Sequence, residues 1–421
     1  MKNIFLLLLL VPIALPAQQS LTIEQYRNRV VEYSNSLKMS SENLRAAQHN
    51  RAAAHADLLP SLAASANGSY QLGNSSQMAG MTLKDYSYTA NATLQQVVWG
   101  GGAFSAQYSA AKTKEQIATA TLQQSLEAVL YSAEITYWAF AAAAEQYSIS
   151  ERYVEIVDGL YQIVNTRFKD GYVSKTDLLM VQTRLNEAQM QLISSRQLYQ
   201  TSLQNLNILV GKYEAVNYIA ADSITSAVQL PARVQWSSVL DNRPEYQIAA
   251  LNVELQHSNV RLAASPFNPT FVVGLQGIYG TQSINIDGST KSYGVAFAQL
   301  NVPIFSWGKR RQSVGAAQAA VRAMEYSMSQ TSDQISGELS NAYITVNETT
   351  KQLQVAYDNL SAASDNLSLN TFSYSEGRLP IIDVLQSQLS WIQAYTSYLN
   401  ANYQLKVAIS NCRKAAGEMR L

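Results

Sequence analysis

The chain has 421 residues, with 30 Lys and Arg against 30 Asp and Glu; 47% of its residues are apolar and only 14% are charged. So balanced and weakly charged a chain carries no basic field for nucleic acid, and a polar remainder made largely of Ser, Thr, Asn and Gln is unusual for a cytosolic enzyme. The length allows several domains or one large repeated architecture, and the single cysteine, Cys412, excludes an intrachain disulfide and any multi-cysteine metal site.

In chain order, Met1-Lys2-Asn3 is positive, Ile4 to Leu10 is leucine-rich, and Pro12 to Ala17 ends in a small residue. That is the pattern of a secretory signal peptide over residues 1–17, with cleavage expected after Ala17. No cysteine follows it, so an acylated N-terminus is not expected. Beyond it no uninterrupted apolar run reaches the ~18 residues of a membrane-spanning helix. A membrane role would therefore need β-strands.

After a first helix the pattern turns to a period of two. From Ser61 to Leu72, one parity is Leu62, Ala64, Ala66, Gly68, Tyr70 and Leu72, and the other is small and polar. The segment 85–98 repeats it, with Tyr86, Tyr88, Ala90, Ala92 and Leu94 facing one way and Ser87, Thr89, Asn91 and Thr93 the other. Two further strands are expected at 270–280, with Phe271, Val273, Leu275, Gly277 and Tyr279 on one parity, and at 291–304. The last carries Tyr293, Val295 and Phe297 and then a slip of parity near Gln299 that suggests a bulge. Each segment is about as long as a tilted transmembrane strand. The Gly-, Ser- and Asn-rich stretches Gly73 to Lys84 and Gln282 to Thr290 read as hairpin loops. A half-buried soluble sheet would also alternate, but an apolar parity of Ala, Gly, Leu and Tyr opposite an uncharged polar one suits a lipid-facing band around a wet lumen.

The helices are long. Gly102 to Arg167 and Lys309 to Phe372 contain only helix-compatible residues, each on the order of 100 Å at 1.5 Å per residue. After a turn, Leu178, Val181, Leu185, Ala188 and Leu192 step three and four residues as a coiled-coil seam, and Leu385, Leu389, Ile392, Thr396 and Leu399 offer another. Shorter helices near Lys175 to Val210 and Asn242 to Ala264 together approach the long rod in length, with Gly211 to Trp236 between them as a belt at mid-height. His49, His55 and His257 lie in helix-like stretches and read as solvated or packed, so neither metal nor other cofactor is expected.

The chain reads twice, offset by a little over 200 residues: Pro60 with Pro269, Trp99-Gly100 with Trp307-Gly308, Gly171 with Gly377, and Asp177-Leu178-Leu179 with Asp383-Val384-Leu385. This divides the mature chain, 18–421, into a first repeat at 18–212, a linker region at 211–236 and a second repeat at 237–421. The fold class is mainly α with β: a long coiled-coil α-helical barrel plus a transmembrane β-barrel with four strands per chain. Four strands cannot close alone, because an open edge in hydrocarbon leaves backbone groups unsatisfied. Three chains would give twelve strands and room for water, so trimerisation is expected to complete the barrel.

In these features the chain resembles the TolC-like outer membrane efflux proteins over essentially its whole mature length. The resemblance is carried by Asn242-Arg243-Pro244-Glu245, Val302-Pro303-Ile304-Phe305 before Trp307-Gly308-Lys309-Arg310-Arg311, and the turns Gly171-Tyr172-Val173-Ser174-Lys175-Thr176-Asp177 and Gly377-Arg378-Leu379-Pro380-Ile381-Ile382-Asp383. It implies a homotrimeric outer-membrane exit duct of a tripartite efflux or type I secretion system, with a periplasmic extension. Its implied partners are a periplasmic adaptor (membrane fusion protein), an inner-membrane pump of RND or ABC type and outer-membrane lipid, with no catalysis and no nucleic acid. By the same resemblance the gate lies at the helix turns, farthest from the barrel, and comprises Thr176, Asp177, Tyr374, Arg378, Asp383 and Gln386, with an Asp177 to Tyr374 latch. Asp383 would narrow the mouth, while Gln386 and Leu379 stand where an aspartate and an arginine are expected. Gly171, Tyr172, Val173, Gly377, Arg378 and Leu379 form the tips to which the adaptor would dock. Read from the residues alone, Asp177 and Asp383 could instead be helix-capping acids, and the two roles can coexist. The competing function is a periplasmic structural or adhesive coiled-coil protein; an enzyme is disfavoured because no nucleophile elbow, phosphate loop or His-carboxylate spacing is present.

Overall fold

The computed structural model describes residues 19–72, 77–78, 81–82, 84–213, 216–281 and 288–421. The leader at 1–17 and most of both hairpin loops lie outside the described residues. In chain order the elements are β1 (Gln19–Leu21), α1 (Ile23–Tyr33), α2 (Asn35–Ala56), β2 (Ser61–Tyr70), β3 (Gln77–Met78), β4 (Met81–Thr82), β5 (Tyr86–Gly100), α3 (Ala103–Lys169), α4 (Lys175–Leu209) and β6 (Tyr218–Ala220). There follow α5 (Trp236–Asn242), α6 (Pro244–Ala264), β7 (Thr270–Thr281), β8 (Thr290–Asn301), α7 (Lys309–Ser375) and α8 (Ile381–Ala415). The two long helices have 67 residues each and the two that return from them 35 each. The chain forms two compact units, one of residues up to Lys38 with Gln124–Arg243 and Gln334–Leu421, the other of Met39–Gln123 and Pro244–Asp333.

The second unit holds an antiparallel sheet in the order β2-β5-β7-β8. Directly paired residues share a face, so the register assigns every side chain. Leu62 pairs with Leu94, Leu94 with Leu275 and Leu275 with Ala296; Ala64, Ala92, Gly277 and Gly294 form the next row. On β5 this apolar parity, Tyr86 to Leu94, is exposed, while Ser87, Thr89, Asn91 and Thr93 are half-buried on the other face.

Two expectations are corrected by this register. The β7–β8 pairing runs unbroken from Thr270 opposite Asn301 to Thr281 opposite Thr290, so no bulge occurs near Gln299. The irregularity lies instead between Val97 and Trp99 on β5. Without that extra residue Trp99 would fall on the polar parity; with it, Trp99 stands opposite Phe271 on the apolar face. Likewise Tyr293, Val295 and Phe297 pair with Ile278, Gln276 and Gly274, which puts them on the mixed polar face and leaves Ala296, Ala298 and Leu300 to the apolar one. Gly274 makes room for the change, since a methyl group there would meet the Phe297 ring at 2.5 Å.

The first unit is built on helix seams. Leu185, Ala188 and Leu206 of α4 and Ile392 and Leu399 of α8 are buried with Tyr26, Val30, Ala133, Tyr137 and Phe140. Burial of each large side chain contributes about 1.5–3 kcal/mol. β1 and β6 form a short parallel pair, tied to α3 by Tyr137, whose buried hydroxyl lies 2.9 Å from both Leu21 O and Asp222 Oδ2 and accepts from Asp222 N at 3.2 Å. Lys406 is buried with its ammonium 4.3 Å from the Trp138 ring centre and donates to Ser226. Burial lowers its pKa. These polar anchors act beside apolar ones, Tyr218 and Ile224, which are buried in the same core.

Candidate functional site

Each long helix ends in the same way. Gly171 (φ +78°) and Gly377 (φ +71°) take left-handed backbone, which only glycine adopts without strain. Gly171 N donates to Phe168 O at 3.0 Å and Tyr172 N to Arg167 O at 2.8 Å; Gly377 N donates to Tyr374 O at 3.0 Å and Arg378 N to Ser373 O at 2.9 Å. Both are Schellman closures, so the two turns share one physical cause.

The returning helices start differently. Ser174 caps α4 in a reciprocal box: Asp177 N donates to Ser174 Oγ at 3.1 Å, and Asp177 Oδ2 accepts from Ser174 N at 3.2 Å. Pro380 precedes α8 with no side-chain cap, and Asp383 sits half-buried in that helix's first turn. Thr176, Gln386, Arg378 and Tyr172 are exposed, while Val173 packs on the cluster of Leu160, Val164, Val181, Tyr374, Ile381, Val384 and Leu385; Leu379 is half-buried.

Asp177 and Tyr374 are near one another without bonding. The Tyr374 hydroxyl is buried and has no partner among the described residues; burial raises its pKa, opposed by Arg167 and reinforced by Asp177. What joins the two turns is a residue that sequence reasoning missed. Arg167 lays its guanidinium 5.1 Å from the Tyr374 ring centre and donates to Ser375 O at 3.1 Å and, more weakly, to Tyr374 O at 3.4 Å. Its only sequence signal was a basic residue in the last turn of a helix, where free carbonyls attract cations; the carbonyls it serves belong to another helix.

The sheet is the other functional surface. The strands of the four-stranded sheet carry one charged residue, Lys291, and it pairs with Gly280 at the loop end of the polar face. Tyr70, Tyr86, Tyr88 and Tyr279 line the loop end of the apolar face, and Trp99 and Phe271 the other end. Between Tyr88 and Trp99 the strand covers roughly 35 Å, or about 25 Å in height at the usual tilt of a barrel strand. No described helix is long and apolar enough to cross a membrane, and no described cluster of His, Cys, Asp or Glu could hold a metal.

An antiparallel sheet with one apolar, nearly chargeless face, joined to long helices that reverse at glycine turns, is the fold of a TolC-like channel. Solved channels share it at low sequence identity: CusC at TM-score 0.82 and 15% identity, covering 94% of this chain and 91% of that one, and the Campylobacter jejuni outer membrane channel CmeC at 0.81 and 18%, covering 94% and 85%. The model of the outer membrane efflux protein family matches residues 27–212 and 236–418, and the chain belongs to that family. Its members are channels and not enzymes. Among curated relatives, the alkaline protease secretion protein AprF of Pseudomonas aeruginosa is 23% identical over 343 residues, 79% of this chain and 67% of the relative.

Proposed function

We propose that the chain is the outer-membrane exit duct of a tripartite efflux or type I secretion system, a passive gated channel carrying substrate from an inner-membrane pump and periplasmic adaptor to the exterior. The observation that carries this reading is the sheet, whose apolar face ends in aromatic rows about 25 Å apart and whose outer strands β2 and β8 have one neighbour each. Edges of this kind are satisfied in hydrocarbon only by closure, and three copies supply the twelve strands of an open-lumen barrel. The uncharged Ser, Thr, Asn and Gln parity would then line the water path. Family membership supports the same reading, as does the secretion role in the name of AprF. Residues 1–17 direct export and are removed, and the mature chain is one unit of two repeats joined by 211–236.

The gate is assigned to the helix turns, with Thr176, Asp177, Tyr374, Arg378, Asp383 and Gln386 around the mouth. Three Asp383 carboxylates about the trimer axis would favour cations. An Asp177–Tyr374 latch would require the carboxylate to leave Ser174; the closure we propose in its place runs through Arg167. Gly171, Tyr172, Val173, Gly377, Arg378 and Leu379 are the adaptor-docking surface, and the pump selects the cargo. Light scattering on the detergent-extracted protein, corrected for detergent and made on fractionated membranes, tests the assembly. A trimer in the outer-membrane fraction is expected, and a soluble monomer or dimer refutes the duct.

A further inference from the structure

The segment that joins β8 to α7 carries some of the most exposed apolar side chains among the described residues. Ile304 is 93% exposed, Phe305 71% and Trp307 90%, with the two rings 4.8 Å apart edge to face. Such side chains on the surface mark a contact rather than a core. Trp307 is held outward at φ +48°, the one non-glycine residue with left-handed backbone among those described. With Gly308 at +75° it forms a mirror-image turn closed by Lys309 N donating to Ser306 O at 2.9 Å. An Asn-Gly pair would suit that turn without strain; tryptophan there is a local cost that folding does not explain.

Directly after the turn come Lys309, Arg310 and Arg311, all exposed and without an ion pair among the described residues. Some exposed cations elsewhere have a carboxylate neighbour, Arg45 with Glu42, Arg51 with Glu115 and Lys351 with Glu348, and others, such as Lys175 and Arg378, stand singly. Lys309 to Arg311 is the one run of three adjacent cations in the sequence. No Asp or Glu occurs between Gly288 and Met324. In the first turn of α7 the triplet also opposes the helix dipole, a cost that an anionic partner removes. The place in the sheet names the partner. The register sets Asn301, the last residue of β8, beside Thr270 and Gly100, at the end of the sheet where Trp99 and Phe271 close the apolar face.

We propose that Phe305 and Trp307, with Lys309, Arg310 and Arg311, form an interfacial anchor that seats the headgroup phosphate of an anionic phospholipid. This inference rests on the reading that the sheet spans the outer membrane. The rings lie at headgroup level, where amphipathic aromatics concentrate, and the three cations, each favourable near an anionic surface, select charged over zwitterionic lipid.

The test reconstitutes the full chain, as extracted, into dioleoylphosphatidylcholine bilayers with a tracer of brominated phosphatidylglycerol or brominated phosphatidylcholine, and follows tryptophan quenching. The W307F variant identifies the Trp307 component. Phosphatidylglycerol is expected to quench that component at a mole fraction roughly fivefold lower than phosphatidylcholine does. The preference should fall to near unity in K309Q/R310Q/R311Q and, for the unaltered protein, in about 0.5 M NaCl, where surface charge is screened. Equal quenching by the two lipids in the unaltered protein, or a preference that survives both the substitutions and the salt, overturns the anchor. If the other tryptophans are quenched while the Trp307 component is not, a second copy of the chain covers the patch; the anchor fails and the membrane reading stands. No quenching of any tryptophan by either lipid overturns both. Should the triple variant not assemble, the salt titration decides alone.

Discussion

Replacing Arg167 with Met should loosen the link between the two turns and, on the proposed gate, favour the open tip. The side chain spans from the end of α3 to the end of α7, giving hydrogen bonds of 3.1 and 3.4 Å to two carbonyls and a cation–π contact at 5.1 Å. A hydrogen bond from a charged donor contributes about 1.5–3 kcal/mol net. Here one of the two is long and the guanidinium is half exposed, so the pair is taken near the low end; the ring contact adds about 0.5 kcal/mol. The loss of about 2 kcal/mol corresponds to a roughly 30-fold fall in the closed-to-open ratio. Met retains the apolar stem, so packing on Tyr374 is largely kept and the missing charge is what the variant reports. Recordings of single channels in planar bilayers read this as a rise in open probability. R167K should fall between the two, because a point charge cannot serve both carbonyls as a planar fork does. Open probability unchanged in R167M, in a variant that still assembles, would refute the clasp.

Tyr374→Phe removes a hydroxyl that has no hydrogen-bond partner of good geometry among the described residues, so channel recordings should match the unaltered protein; a clear opening would give the hydroxyl a partner in the working assembly. Asp177→Ala and Ser174→Ala each break the same capping box and should weaken the start of α4 by about 1 kcal/mol alike. A conductance effect of Asp177→Ala far beyond that of Ser174→Ala would restore the latch. Cys412 is 1% exposed and its thiol pKa is raised by burial, so little thiolate forms at neutral pH. Maleimide labelling should be slow in the folded protein and complete after denaturation, and fast labelling of the folded form would place Cys412 at the surface. Gly274→Val would drive a side chain into the Phe297 ring and the Leu94 carbonyl, and heat-stable assembly on gels should drop by several degrees or more.

Strand alternation is a local signal. Leu62 to Tyr70 and Tyr86 to Leu94 can be assigned to faces from the residues alone, because their other parity is uniformly Ser, Ala, Thr and Asn. On β8 the signal is ambiguous: Tyr293, Val295 and Phe297 alternate as convincingly as Ala296, Ala298 and Leu300, and larger side chains suggest the wrong face. Only pairing with β7 decides, through Gly274, whose missing side chain admits Phe297 on the polar side. The long helices were legible for the opposite reason, since the absence of proline and a steady three-and-four spacing persist through many turns.

The tip shows where local reading stops. Gly171 and Gly377 announce the reversals because a left-handed C′ residue is a property of one residue and its own helix. Ser174 and Asp177 announce a capping box because its partners are three residues apart. Arg167 announces nothing, as the carbonyls it reaches lie more than 200 residues away in sequence. The same distinction separates the two acids that the sequence treats as equivalents. Asp177 has a serine three residues before it and is committed to a cap, whereas Asp383 has Pro380 in that place, which offers neither a hydroxyl nor an N–H. Of these two acids Asp383 is therefore the one with no cap to make, and so the better candidate of the two, on the proposed gate, for a charge that acts on what passes between the tips.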